Sequence, residues 1–235
     1  MTKAIRGIYA AALTPFTRSG DIDTGMLSAY CTWLLEQGID GVAPLGTTGE
    51  GNSISLAERC RVPAALAAAG IPADRAIIGT GSCAFADAVK ATKSALDAGY
   101  NNVLVLPPFY FKNAADDGVY AYYARLIETI ADDRLRVYLY HFPQMSMTPF
   151  SVGLVQRLKA GFGPVIAGLK DSSGDLSASI AFAAATEDFD VYPSNEGVYV
   201  DAVKAGCAGV ISATTNASAG YVSKAKVEDE TAALA

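Results

Sequence analysis

The stretch VIAGLKDSSGD, residues 165–175, is an unbroken apolar run that closes on a lysine and passes into turn-forming residues. The run is too short for a helix. Its lack of polar alternation marks a strand covered on both faces, the kind found in parallel sheets wrapped by helices. Comparable runs lie at 7–14, 41–45, 76–80, 103–106, 136–141, 190–193 and 208–212, which with 165–169 make eight.

Helical patterns fill the gaps between them. Over residues 24–38, Met26, Leu27, Tyr30, Trp33 and Leu34 share one face and Gly38 follows as a C-cap. Ser55 to Glu58 fits a capping box that opens the second helix, and Pro63 kinks that helix or delays its start. Val119, Tyr122, Tyr123, Leu126, Ile127 and Ile130 line one side of a helix through 118–130. Shorter helices fit 84–98, 151–159, 175–186 and 197–205. Eight strand-then-helix units in series predict an α/β fold, a (β/α)8 TIM barrel, as one domain over residues 1–235. An open doubly wound sheet is the alternative. It lacks a GxGxxG after the first strand and needs fewer units. After the eighth strand there is room for only part of one last helix.

The bulk properties agree. Of 235 residues, 51% are hydrophobic and 18% charged, which suits a large core and excludes disorder. A net charge of −6 with no basic stripe speaks against nucleic acid. No apolar run approaches membrane-spanning length, and the run after Arg6 is interrupted at Thr14-Pro15, so it reads as a strand and not as a signal peptide. Four cysteines without CxxC spacing (Cys31, Cys60, Cys83, Cys207) read as reduced, mostly buried thiols of a cytoplasmic protein. A single histidine excludes a histidine-rich zinc site.

In a barrel of this kind chemistry sits where the strands end. The other internal lysines lie in helical patterns or loops, whereas Lys170 closes a strand. Burial disfavours the charged form of an amine, and a neutral amine attacks carbonyls, so Lys170 suits a Schiff base. A structural salt bridge to Asp171 or Glu196 explains it equally well. Tyr140 closes the neighbouring strand, where a phenol can shuttle a proton. With twelve tyrosines in the chain, a core role is the competing reading. The turn Gly46-Thr47-Thr48-Gly49-Glu50 after the second strand offers hydroxyls and backbone N–H groups to a carboxylate. It is not a P-loop, because the Gly-Lys-Ser/Thr ending is missing.

Taken together, GTTGEG at 46–51, YHFP at 140–143 and GLKDSSGD at 168–175 resemble the dihydrodipicolinate synthase / N-acetylneuraminate lyase family of Schiff-base aldolases. The similarity runs from GIYAAALTPF to GVISATTN. It implies a class I lyase that acts on a 2-keto acid, with pyruvate as the keto fragment, and uses neither metal nor organic cofactor. By motif, Lys170 is the imine lysine, Tyr140 the proton shuttle and Thr47 the relay. Thr48, with Gly46 beside it, holds the keto-acid carboxylate, and Ile211 lines the pyruvate pocket. Tyr110 matches a tyrosine that family dimers contribute across their interface, so the resemblance also implies a homodimer or homotetramer.

Four departures qualify the match. His141 stands where the motif has asparagine. Met145 stands where dihydrodipicolinate synthases place an arginine for the second substrate's carboxylate, and a thioether cannot pair with a carboxylate. Ser194 replaces a glycine, which narrows the site, and Glu196 faces a polyol or amino substituent; with Ser173 these are the residues expected to set specificity. The family's extra C-terminal helices are absent from this chain. A sugar-acid or sialic-acid-like substrate is therefore favoured over condensation of pyruvate with aspartate semialdehyde. A non-catalytic 2-keto-acid-binding relative is the reading from another class.

Overall fold

In the computed structural model, which describes residues 6–233, the apolar runs become eight parallel strands. They are β1 (Gly7–Ala10), β2 (Gly41–Val42), β3 (Ile78–Gly79), β4 (Asn102–Val105), β5 (Arg136–His141), β6 (Ile166–Asp171), β7 (Asp190–Pro193) and β8 (Gly209–Ser212). Between and after them run α1 (Thr24–Glu36), α2 (Leu56–Arg59), α3 (Val62–Ala68), α4 (Phe85–Asp97), α5 (Asp116–Ile130), α6 (Pro143–Ser146), α7 (Val152–Phe162), α8 (Leu176–Ala183), α9 (Tyr199–Lys204) and α10 (Thr215–Ala233).

Two parallel ladders, β2-β1-β8 and β3-β4-β5-β6-β7, form the wall. A bridge from Val42 to Ala76 joins β2 to β3. The Ala208 N–H donates to the Val191 carbonyl at 2.9 Å and closes β7 onto β8. The result is a closed (β/α)8 barrel without a free sheet edge.

Side chains alternate across this wall. Ile8, Ala10, Val42, Ile78, Val103, Val137 and Leu169 face outward and pack under the helices. Tyr9, Ala43, Ile77, Leu104, Tyr138, Tyr192 and Ile211 fill the interior. The Tyr9 and Tyr138 rings each meet Tyr192 edge-on at 6.0 Å and plug the barrel. Glycine makes room for them. A Cβ at Gly41 would lie 2.0 Å from the Tyr9 ring, and one at Gly168 would lie 2.8 Å from the Tyr138 ring.

Several expectations change. β1, β2, β3 and β8 are shorter than their apolar runs, β5 and β7 coincide with theirs, β4 is displaced by one residue, and β6 extends past its run to take in Lys170 and Asp171. On α1 the buried stripe is Leu27, Cys31 and Leu34, while Met26 and Trp33 are exposed. Trp33 stacks on Tyr30 at its edge, 5.8 Å between centroids. Pro63 does split the second helical pattern, because it falls in the first turn of α3, where its missing N–H costs nothing. Ser55 caps α2 as the box predicts, with its hydroxyl accepting the Glu58 N–H. The helix after β8 is longer than the part-helix expected: α10 has 19 residues and runs to Ala233, the last residue described. Asn216 in its first turn donates to the Ala11 and Ala213 carbonyls and accepts from Tyr30, which ties α10 across the β8–β1 seam. Among the cysteines, Cys31 and Cys207 are buried, Cys60 is half-buried and Cys83 is exposed; all are free.

Candidate active site

The β5–β6 ladder decides where the lysine points. Val137 pairs with Ile166 but Tyr138 pairs with Gly168, so the register slips by one residue at Ala167. A one-residue slip exchanges the faces of everything beyond it. Ile166 packs outward, Ala167 packs against the interior cluster, and Leu169 packs outward again. Lys170 is thereby turned inward, opposite Tyr140.

Lys170 is 3% exposed. Its Nζ donates to the Tyr140 hydroxyl at 3.4 Å and lies 4.7 Å from the centre of that ring. Tyr140 in turn donates to Thr47 Oγ1 at 3.2 Å. Lys170, Tyr140 and Thr47 thus form one chain of polar groups drawn from β6, β5 and the turn after β2. No carboxylate pairs with Lys170 among the described residues. Asp171 turns outward to Ser173 and Ser179, and Glu196 is held by other hydroxyls. The salt-bridge reading of Lys170 is therefore set aside.

Electrostatics separate Tyr140 from the other interior tyrosines. Burial pushes the phenols of Tyr9, Tyr138 and Tyr192 up, which keeps them protonated. Burial pushes Tyr140 the same way. There, however, the Lys170 charge, the hydrogen bonds with Thr47 and Lys170 and the nearby Ser172 outweigh it, and the phenol is held below its ordinary value. A phenol that ionises easily beside an amine can exchange a proton with a bound oxygen.

The turn that supplies Thr47 is tightly folded. Leu45 and Glu50 adopt left-handed backbone, φ 62° and 54°. The Gly51 N–H donates to the Gly46 carbonyl and the Glu50 N–H to the Thr47 carbonyl, both at 3.0 Å. A Cβ at Gly49 would lie 2.6 Å from the Ala12 carbonyl oxygen. Gly46 and Thr47 border a small pocket with Leu45, Leu104, Leu106 and Tyr140. The half-buried Thr48 hydroxyl has no intramolecular partner among the described residues.

The remaining candidates scatter. Ile211 lies fully inside, in the cluster that contains Tyr140. Ser194 is half-buried past the end of β7. Ser173 builds its own turn: its N–H donates to Asp171, its hydroxyl accepts from the Asp175 N–H and its carbonyl accepts the Gln144 amide. Glu196 accepts from the hydroxyls of Ser212, Thr214 and Ser218. These bonds strap the loop after β7 to β8 and the start of α10. Met145 and Tyr110 are exposed on the rim, where the Tyr110 ring meets Phe111 edge-on at 5.2 Å. Two neighbours escaped the sequence reading. They are Ser172, which acts on Tyr140, and Phe142, whose ring stacks on Tyr140 at 5.8 Å. The pairing of β5 with β6 identifies Ser172, whereas Phe142 lies two residues beyond Tyr140, on the same face by the strand period.

Known proteins share this fold. The model of the dihydrodipicolinate synthetase family matches residues 4–229. An uncharacterized DapA-like lyase of Chloroflexus aurantiacus is 37% identical over 217 residues, covering 90% of this chain and 71% of that protein. The crystal structure of dihydrodipicolinate synthase from Agrobacterium tumefaciens superposes with a TM-score of 0.84 at 36% identity, over 89% of this chain and 73% of the other. A 2-keto 3-deoxygluconate aldolase from Picrophilus torridus gives 0.83 at 26% identity, over 92% and 77%. Barrel and matches together define a lyase of the class I aldolase type. The chain belongs to the dihydrodipicolinate synthetase family.

Proposed function

We propose that the protein forms a Schiff base with a 2-keto acid, pyruvate being the keto fragment, and makes or breaks a carbon–carbon bond next to it. The observation that carries this reading is the buried Lys170 amine, unpaired with any carboxylate among the described residues and 3.4 Å from a Tyr140 hydroxyl that also reaches Thr47. In the cleavage direction Lys170 Nζ attacks C2 and water leaves, giving an iminium. The iminium accepts the electron pair of the C3–C4 bond and becomes an enamine, while Tyr140 takes the C4 hydroxyl proton and passes it to Thr47. Thr48 and Gly46 hold the C1 carboxylate, Ile211 packs on the keto fragment, and Tyr110 reaches the mouth of a partner subunit's barrel. No metal or organic cofactor is required.

A sugar-acid or sialic-acid-like substrate fits the second half best. Met145 cannot pair with a carboxylate, and the aldolase from Picrophilus torridus acts on a keto-deoxy sugar acid. Condensation of pyruvate with aspartate semialdehyde is the second reading, favoured by the greater identity to the synthase from Agrobacterium tumefaciens. The free thiols support a cytoplasmic location.

Borohydride with pyruvate tests the core of the proposal. It reduces the iminium to a secondary amine, so a stable adduct is expected on the peptide that contains Lys170. No adduct, or one that persists in Lys170→Ala, would overturn it. Pyruvate release from 2-keto-3-deoxy sugar acids and sialic acid, set against pyruvate consumption with aspartate semialdehyde, decides between the two readings.

A further inference from the structure

The strands that carry Tyr140 and Lys170 are tied together on their outer face by the chain's single histidine. Register pairs Tyr140 with Lys170 and His141 with Asp171, so the tie lies one residue beyond the reacting pair on both strands. His141 Nδ1 accepts the Phe150 backbone N–H at 3.0 Å. The ring proton is therefore assigned to Nε2, which faces Asp171 Oδ1 at 4.0 Å. The Asp171 carboxylate is fixed by the Ser173 N–H at 2.8 Å and the Ser179 hydroxyl at 2.6 Å. The His141 carbonyl accepts the Ser172 N–H at 2.7 Å, and the ring packs edge-on against Phe182 at 5.1 Å. One imidazole thus joins β5, β6, the segment ahead of α7 and, through Asp171, α8.

We propose that His141 is a positioning residue: held between the Phe150 amide and the Asp171 carboxylate, it fixes the ends of β5 and β6 and so the separation of Tyr140 from Lys170. The proposal rests on the Schiff-base reading above. It makes the tie sensitive to acid, because a protonated ring would set an N–H against the Phe150 N–H. The titratable groups around the ring are Asp171 on β6, Cys207 ahead of β8, near enough to feel the same carboxylate's charge, and Tyr123 on α5, which packs on Phe150. α8 supplies Phe182 and the Ser179 hydroxyl. Burial holds the imidazole below its ordinary value against the pull of Asp171, so the tie survives mild acid and fails below it.

The test follows borohydride trapping of pyruvate against pH in the wild type, His141→Asn and His141→Leu, with thermal unfolding in parallel. His141→Leu is expected to trap roughly tenfold or more slowly at neutral pH, since small misplacements of reacting groups have effects of that order. An asparagine can accept the Phe150 N–H through Oδ1 and turn Nδ2 to Asp171. His141→Asn is therefore expected to recover most of the rate and to keep it at pH values where the wild type has lost it. Wild-type trapping by His141→Leu, or the same acid limb in His141→Asn and the wild type, would overturn the proposal. If His141→Leu does not fold, the acid limb of His141→Asn decides alone. A wild type that gives no adduct at any pH overturns the lyase reading and this proposal with it; a wild type that traps beside unaltered variants overturns this proposal only.

Discussion

At the scale of single residues, the proposed chemistry concentrates on Tyr140. Its depressed phenol depends on a charge from β6 and a hydroxyl from the turn after β2. Tyr140→Phe removes the proton carrier and should lower kcat by about 10²–10⁴ with imine formation still detectable. Thr47→Val keeps the phenol but removes one group that holds it down. The expected result is a rising limb of the kcat–pH profile displaced to higher pH, because the phenolate then forms later. An unmoved limb would show that Thr47 does not act on the phenol. The sequence named Tyr140, Thr47 and Lys170, since each ends a strand or fills a turn that ends one. It left Lys170 poised between imine and salt bridge because charge pairing depends on side-chain direction. Asp171 and Glu196 are close in sequence or in the fold, yet both turn away.

Elements are held by loops that the sequence only half described. Glu196 illustrates why: its place past a strand suggested substrate, and the sequence did not show that Ser212 of β8, Thr214 of the following loop and Ser218 of α10 would donate hydroxyls to it. Burial alone would raise this carboxyl, and the hydroxyls outweigh burial and lower it. A lowered folded value means the strap stabilises above the unfolded glutamate pKa of about 4.3 and loses that contribution as pH falls through the folded one. Glu196→Gln should therefore melt earlier than the wild type at neutral pH, and the gap should shrink in acid. Equal melting at pH 7 would remove the strap from the account. The elements themselves were legible. Capping at Ser55, the break at Pro63 and the buried line Val119–Tyr123–Leu126–Ile130 follow from local chemistry. The exposed Trp33 and Met26 were not foreseen, because an apolar face broader than its groove leaves residues at the edge.

For the whole molecule, closure of the barrel leaves the rim as the surface open to association. Tyr110 and Phe111, 72% and 81% exposed, form an apolar tip beside the mouth. Clusters of this kind are commonly covered by partners. A homodimer or homotetramer is expected in sedimentation, and the double substitution Tyr110→Ser with Phe111→Ser should shift it toward monomer. A wild type that sediments as a monomer at all concentrations overturns that assembly.

The sequence by itself determined the eight-unit barrel and the class of chemistry and named the candidate residues for its centre, because apolar period, turn chemistry and motif spacing are local properties. Only the tertiary structure decided which way the centre faces. The slip at Ala167 turns Lys170 into the barrel, the pairing of β5 with β6 sets it against Tyr140, and the outer face of the same ladder gathers His141 and Asp171. A continuous apolar run carries no record of its own two faces; those are assigned by hydrogen bonds to a neighbouring strand that lies about 30 residues away in the chain.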